Sequence, residues 1–186
     1  MSKIFTITGP SGVGKTSVVD LVSKKLDTVD IFTSHTTRQM REGEKEGRDY
    51  YYISEAEFIY FQNLGIFFES TEYAGNRYGC SKDELWRIWE SRGNNALLVA
   101  EPQGVTQIKK AYREDHIAIF MATEDIDTLV NRMKDRGDDE LNIAKRMATV
   151  PYFMSSFDTE TYNALVINSN IDKTVDEVID VIKKYS

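Results

Sequence analysis

A single cysteine, Cys80, stands in the 186 residues. Its solitude excludes an internal disulfide framework and a cysteine zinc cluster, and it suits a reducing cytosol, so a cytoplasmic location is expected. The first residues run straight into a strand pattern, with no charged-then-apolar signal segment. No apolar run approaches the roughly 20 residues that span a bilayer, so no membrane partner is expected. Repeats and low-complexity stretches are lacking as well. Basic residues are outnumbered, 23 lysines and arginines against 30 aspartates and glutamates, for a formal net charge of −7. That balance argues against a non-specific binder of nucleic acid or membranes, and it means that an anionic substrate must be held by a local basic cluster. What is left is a length of chain that suits one α/β domain with small insertions and a real core.

Against these absences stands one dense motif. Gly9-Pro10-Ser11-Gly12-Val13-Gly14-Lys15-Thr16 fits G-x-x-x-x-G-K-[ST], the phosphate-binding loop. Before it, Lys3-Ile4-Phe5-Thr6-Ile7-Thr8 is rich in β-branched and aromatic residues and reads as a strand. After it, Val18, Val19, Leu21, Val22 and Leu26 recur at helical spacing. Glycines let the backbone curl so that successive N–H groups face a polyphosphate, and the helix that follows adds its positive end. Lys15 can reach the β- and γ-phosphates, and the Thr16 hydroxyl can join a Mg²⁺ shell. An ordinary glycine turn would not need these flanks in this order.

Downstream, a short strand is expected at Ile31-Phe32-Thr33, followed by a polar run from Ser34 to Ile53 with Arg38, Arg41, Gly43, Gly47 and an aromatic end at Tyr50-Tyr51-Tyr52. This is either a solvated loop and hairpin or a second anion site in which Arg38 and Arg41 fork onto one phosphate and a tyrosine hydroxyl completes its shell. Ser54-Glu55-Ala56-Glu57 reads as a capping box opening a helix with Phe58, Phe61 and Leu64 on one stripe and Gly65 at its end. A strand from Ile66 to Tyr73 carries Glu69 after an apolar run, a turn follows at Ala74–Gly79, and Ser81-Lys82-Asp83-Glu84 reads as a second capping box before Leu85, Ile88 and Trp89. Ala96–Ala100 is apolar throughout, as a buried parallel strand is. At its end Glu101 either faces Mg²⁺ or substrate beside the loop or caps the helix that Pro102 starts. A strand at Ile117–Met121, a helix bearing Ile126, Leu129, Val130 and Met133, a strand at Leu165–Asn168 and a terminal amphipathic helix through Val175, Val178, Ile179 and Ile182 complete the pattern. Arg132, Arg136 and Arg146 are either solvated charge or the working side of a mobile segment that closes over a transferring phosphoryl group. The order of elements gives a doubly wound parallel α/β core.

Taken as a series, these residues resemble the guanylate kinases, of the nucleoside monophosphate kinase group, over almost the whole chain. The most specific points are Ser34-His35-Thr36-Thr37-Arg38 with Arg41 and Gly43-Glu44, Gly47-x-Asp49-Tyr50, Phe68-Glu69, Gly75-Asn76-x-Tyr78-Gly79, Gln103-Gly104, and Arg132-x-x-x-Arg136-Gly137 with Arg146. The resemblance implies a P-loop core at 1–33 and 90–186 with a helical lid at about 136–158, and an inserted GMP-binding subdomain of mixed α/β structure at 34–89. It implies ATP and GMP or dGMP as substrates, Mg²⁺ as cofactor, direct in-line transfer, no nucleic-acid partner, and a monomer or homodimer. ATP would lie against the loop from Gly9 to Thr16, Ser17 and Asn168. The GMP phosphate would be held by Arg38, Arg41, Tyr50 and Tyr78, and its base read by Ser34, Glu69 and Cys80, with Glu101 nearby. Lys15, Arg38, Arg132, Arg136 and Arg146 would stabilise the transfer, and Thr16 and Glu101 would serve the metal. The chain departs from the family pattern at Cys80, where Thr or Ser is common, at Val99, where an acid is common, and at Gln39-Met40, where prolines are common. A kinase of the same fold with another phosphate-ester acceptor, a non-catalytic binding module and a generic nucleotide switch are the alternatives, each leaving part of the series unexplained.

Overall fold

β1 (Ile4–Thr8) is buried along its whole length and leads through the glycine loop into α1 (Lys15–Lys25) and β2 (Val29–Ile31). A second segment holds β3 (His35–Thr36), β4 (Tyr51–Tyr52), α2 (Glu55–Asn63), β5 (Phe67–Tyr73), β6 (Asn76–Ser81) and α3 (Lys82–Arg92). The chain returns with β7 (Asn95–Val99), α4 (Pro102–Tyr112), a 3-10 turn at Arg113–Asp115, β8 (His116–Ala122), α5 (Ile126–Asp135), α6 (Glu140–Met147), α7 (Val150–Ser156), β9 (Ala164–Ile167) and α8 (Ile171–Tyr185). The computed structural model describes residues 2–186 apart from the side chains of Ser91 and Arg92; Met1, first residue of the expected core segment, lies outside the described residues.

Five strands form a parallel sheet in the order β2-β7-β1-β8-β9. Parallel strands need helical crossovers, which cover both faces, and this is why the strands read as unbroken apolar runs. On one face Phe5, Ile7, Leu97 and Ile119 pack with Val18 and Val22 of α1 and Val175, Val178 and Ile182 of α8. On the other, Ile4, Leu98, Ala118 and Phe120 pack with Leu85 and Ile88 of α3 and Val105 and Ile108 of α4. The strand order reverses at β1, so its neighbours β7 and β8 leave toward opposite sides. A crevice therefore opens at the carboxyl end of β1, where the glycine loop lies.

The second sheet has the order β4-β3-β6-β5 and is mixed, with β3 and β4 parallel and the other pairs antiparallel. A register shift between Phe67 and Glu69 sets the phase of β5, placing Glu69 opposite Cys80. The Gln107 side chain of α4 fastens this sheet to the first. Its Oε1 accepts from Ser70 N–H at 3.2 Å and its Nε2 donates to Ser70 C=O at 3.0 Å.

Local chemistry explains most element ends, and tertiary packing explains the departures. The Ser54–Glu57 capping box closes in both directions. At Ser81 only half forms: its hydroxyl accepts from Glu84 N–H, but the Glu84 carboxylate turns to Thr33 N–H, Tyr51 and Arg87. β2 ends at Ile31, earlier than the sequence suggests. Phe32 N–H still donates to Leu97 C=O at 2.9 Å, and beyond it the pairing stops; the Phe32 ring meets Phe68 edge-on at 5.9 Å. Leu64 and Ile126, expected on buried stripes, are exposed because they cap or open their helices beyond the last packed turn.

Leu97→Ala, in the fully buried middle of β7, should lower unfolding free energy by about 2–5 kcal/mol. Leu165→Ala, on an edge strand with its side chain half in solvent, should cost under about 1 kcal/mol. Urea unfolding of the two variants beside the parent checks the contrast.

Candidate active site

The glycine loop owes its shape to residues without a Cβ. Gly9 has φ +147°, and a Cβ there would stand 2.1 Å from the carbonyl oxygen of Met121. Gly14 has φ +100°, and a Cβ there would stand 2.6 Å from Nδ2 of Asn168. Two side chains then hold the loop from behind. Asn168, almost fully buried, donates from Nδ2 to Val13 C=O at 2.7 Å and accepts from the Thr174 hydroxyl at 3.0 Å. Arg132 of α5 donates from Nη1 to the same Val13 carbonyl at 3.2 Å. One N–H and the oxygen of the Asn168 amide are thus engaged within the protein.

Lys15 opens α1 with its ammonium 2.5 Å from Gly9 C=O and 3.1 Å from Pro10 C=O, and 5.7 Å from the centroid of the Phe153 ring. Burial lowers its pKa to about 8; Glu101 opposes that fall, and Arg146 and Arg136 add to it. Thr16 and Ser17 stay exposed on the same turn. Glu101 occupies the N-cap position of α4, yet its side chain makes no capping bond. Its Oε2 is buried without a hydrogen-bond partner, and burial raises its pKa against the pull of Lys15 and Arg146. Of the two readings of Glu101, the side chain follows the one that faces the loop.

Ser11 joins the loop to two other parts of the fold. Arg146 of α6 donates to its Oγ at 2.9 Å, and the Tyr73 hydroxyl at the end of β5 lies 2.9 Å away. Arg146 also stands 3.9 Å from Asp138, which pairs with Arg136.

A second cationic cluster sits on the small sheet. Arg38 donates from Nη2 to both oxygens of Glu44, at 2.8 and 3.0 Å, and from Nη1 to Gln39 C=O at 2.7 Å. Its guanidinium lies 5.3 Å from the Tyr50 ring centroid. Burial works against ionisation of Glu44, but hydrogen bonds from Arg38, Arg41 N–H and Tyr52 hold its pKa down to about 2. Burial lifts Tyr50 to about 12, and it also raises Tyr78, whose ring centroid is 5.9 Å from that of Tyr50. Both hydroxyls are therefore donors at neutral pH. The Arg41 guanidinium is pulled below its ordinary value by burial first, then by the charges of Arg38, Arg136 and Arg146, with Asp138 opposing. Arg41 thus lies in the field of Arg38, of Arg136 at the end of α5, and of Arg146 on α6.

Behind this cluster lies a polar recess. Glu69 is 4% exposed, and its carboxylate approaches α4 so closely that a Cβ on Gly104 would stand 2.4 Å from Oε1. Burial lifts its pKa to about 7, against hydrogen bonds from Cys80 and Thr71, and Glu101 raises it further. Ser34 Oγ lies 3.6 Å from Cys80 Sγ, and burial holds the thiol protonated well above its usual range.

The sequence points to most of these residues but not to Tyr73, Thr149 or Phe153. Tyr73 was legible only as the third member of an alternating set with Glu69 and Thr71 on one strand face. Thr149 and Phe153 carry no local signal, because their roles come from the fold of α7 over the loop. Among the described residues no group of three His, Cys, Asp or Glu side chains is placed to hold a metal ion, and no helix is long and apolar enough to cross a membrane.

Comparison with known proteins agrees with this geometry. A family model described as guanylate kinase matches residues 1–185. A guanylate kinase of Coxiella burnetii is 35% identical over 182 residues, covering 97% of this chain and 86% of its own. One from Chlorobium chlorochromatii is 30% identical over 177 residues, covering 95% and 92%. The crystal structure of guanylate kinase from Anaplasma phagocytophilum superposes with a TM-score of 0.79 at 26% identity, over 98% of this chain and 85% of that one.

The raised pKa of Glu69 has a consequence for stability. Between its unfolded value near 4.5 and its folded value of about 7, the folded state binds the proton more tightly, so Glu69 lowers stability as pH rises through that window. The difference in unfolding free energy between the parent and Glu69→Gln should therefore change in the variant's favour from pH 4.5 to pH 7, then level off. Chemical unfolding at half-unit pH steps measures it.

Proposed function

We propose, from the premise that the chain belongs to the guanylate kinase family, the residues by which it moves the γ-phosphoryl group of ATP onto GMP. It is an ATP:GMP phosphotransferase. The observation that carries the assignment is Arg146, which donates to Ser11 of the glycine loop at 2.9 Å and whose charge acts on both Lys15 and Arg41; this supports two phosphate sites side by side. A phosphoryl group can then pass between two bound nucleotides without a covalent intermediate, by positioning and charge stabilisation.

On the donor side, loop N–H groups and Lys15 hold the β- and γ-phosphates of ATP. The Lys15 ammonium is already oriented by the Gly9 and Pro10 carbonyls. Residues present also fit a Mg²⁺ carried in with ATP. This ion prefers one or two protein oxygens, with phosphates and waters completing its shell. The exposed Thr16 hydroxyl and the orphaned Glu101 Oε2 supply that small donor set. Bound there, it would neutralise charge on the β- and γ-phosphates.

On the acceptor side, Arg38, Arg41, Tyr50 and Tyr78 grip the GMP phosphate, with Glu44 orienting Arg38 through its paired oxygens. Residues 34–89 form the acceptor part, 1–33 and 90–186 the donor core, and about 136–158 the lid that brings Arg136 and Arg146 over the transferring group. Glu69 accepts from guanine N1–H and the 2-amino group, while Ser34 and Cys80 face the base beside it. dGMP fits the same recess, because the recess reads the base. A non-catalytic module would give the buried Lys15 and Glu101 no task.

Two measurements test these roles. In Arg41→Met, calorimetry should show GMP affinity falling with ATP affinity nearly unchanged, and turnover should slow because the clamp also orients the acceptor. An equal loss for both nucleotides would contradict two separate sites. In the parent, GMP affinity should improve as pH rises through about 7, because only ionised Glu69 accepts from both guanine donors. Glu69→Gln should remove that step and damage GMP use most among GMP, dGMP, IMP and AMP. AMP should be poorer than GMP by about 10⁴-fold, since it leaves the carboxylate unpaired. Equal use of AMP and GMP by the parent would refute guanine reading by Glu69.

A further inference from the structure

We propose that Tyr73 is a positioning residue for phosphoryl transfer, holding Arg146 over the phosphate loop through a closed ring of hydroxyl hydrogen bonds that it shares with Ser11 and Thr149. The inference rests on Arg146 acting at the transferring phosphates, as proposed above.

The direction of each bond in the ring follows from counting protons. The Thr149 hydroxyl donates its one proton to Arg146 C=O at 2.7 Å. Toward Tyr73 Oη, 3.4 Å away, it can only accept, so Tyr73 donates. With that proton committed, Tyr73 must accept from Ser11, whose Oγ is 2.9 Å distant. Ser11 in turn accepts from Nη1 of Arg146 at 2.9 Å. The circuit runs from the Arg146 guanidinium through Ser11, Tyr73 and Thr149 and back to the Arg146 carbonyl, with every donor pointing the same way round. Such chains polarise one another and strengthen together. Removing one hydroxyl loosens all the links.

The three side chains come from different parts of the fold. Ser11 belongs to the donor loop, Thr149 to the start of α7, and Tyr73 to the end of β5. Glu69 lies four residues earlier on β5, on the same face as Tyr73 and about 13 Å away at strand rise. Tyr73 thus links the strand that reads the acceptor base, through Ser11 and Thr149, to the arginine that serves the donor phosphates. Its ring meets Phe153 edge-on at 6.1 Å, and Phe153 also lies under the Lys15 ammonium, so the phenol is held in place by packing that does not depend on its hydroxyl.

That independence makes Tyr73→Phe a clean probe, since the ring remains and only the oxygen is lost. Its kcat should fall about 2- to 10-fold, the range for losing one net hydrogen bond, with KM for GMP unchanged and the melting temperature close to the parent's. Thr149→Val should reproduce the effect, and the two together should lose no more than either alone. In an Arg146→Met background, Tyr73→Phe should cause no further loss. Full kcat in both Tyr73→Phe and Thr149→Val would overturn the proposal, as would losses that multiply with that of Arg146→Met. Arg146→Met keeping full kcat would instead remove Arg146 from the transfer step, and the proposal with it.

Discussion

The ammonium of Lys15 lies against two carbonyl oxygens of its own loop, over an aromatic ring, with a carboxylate near enough to feel but not to bond. Burying a cation this way costs free energy, which the lowered pKa records. Much of the surrounding structure serves to keep the cation there. Gly9 and Gly14 let the backbone present its carbonyls and N–H groups. Asn168 and Arg132 hold Val13 so that the curl cannot relax. The reversal of strand order at β1 supplies the crevice in which none of this collides with a neighbouring strand.

Gathering further arginines around such a lysine creates repulsion, and the structure answers it locally. Arg38 is matched by Glu44 and Arg136 by Asp138, while Arg41 has no carboxylate partner among the described residues and is held below its ordinary pKa. The acids differ in kind. Glu44 is fixed by four hydrogen bonds, from Arg38 twice, Arg41 N–H and Tyr52, so it orients a guanidinium without competing for the space in front of it. Glu69 is the opposite: a carboxylate whose ionisation burial opposes, its pKa lifted to about 7. Its pKa is also raised by Glu101 on the donor side.

The sequence shows the phosphate loop at once because every residue in it answers a local demand, and the same holds for the Ser54–Glu57 box and the apolar strand at Leu97 and Leu98. It offers Arg38 and Arg41 as either solvated charge or a second anion site, and Glu69 becomes a candidate only through the family resemblance. Where local reading fails, tertiary contacts have overruled it. Glu84 abandons its capping bond for Thr33 and Arg87, and the β2 pairing stops after Phe32, whose ring packs on Phe68. Tyr73 escapes notice because a tyrosine at a strand end is ordinary. Its role exists only once α7 has folded over the loop and brought Thr149 and Arg146 beside Ser11.

Val99 and Glu101 together show how charge is apportioned across the cleft. Val99 lies in register with Ile7 at the end of β7, half-buried, where the family resemblance leads one to expect a second acid. Glu101, two residues on, is left as the carboxylate facing Lys15, and Arg146 acts on it as well. A second carboxylate there would have neutralised more of the cluster in the empty state, and it would have repelled the incoming phosphates. With valine at that position the cations of the cluster are less compensated. A protein with a net charge of −7 can attract polyanions only if such a local excess is kept, and replacing an acid at the strand end keeps it.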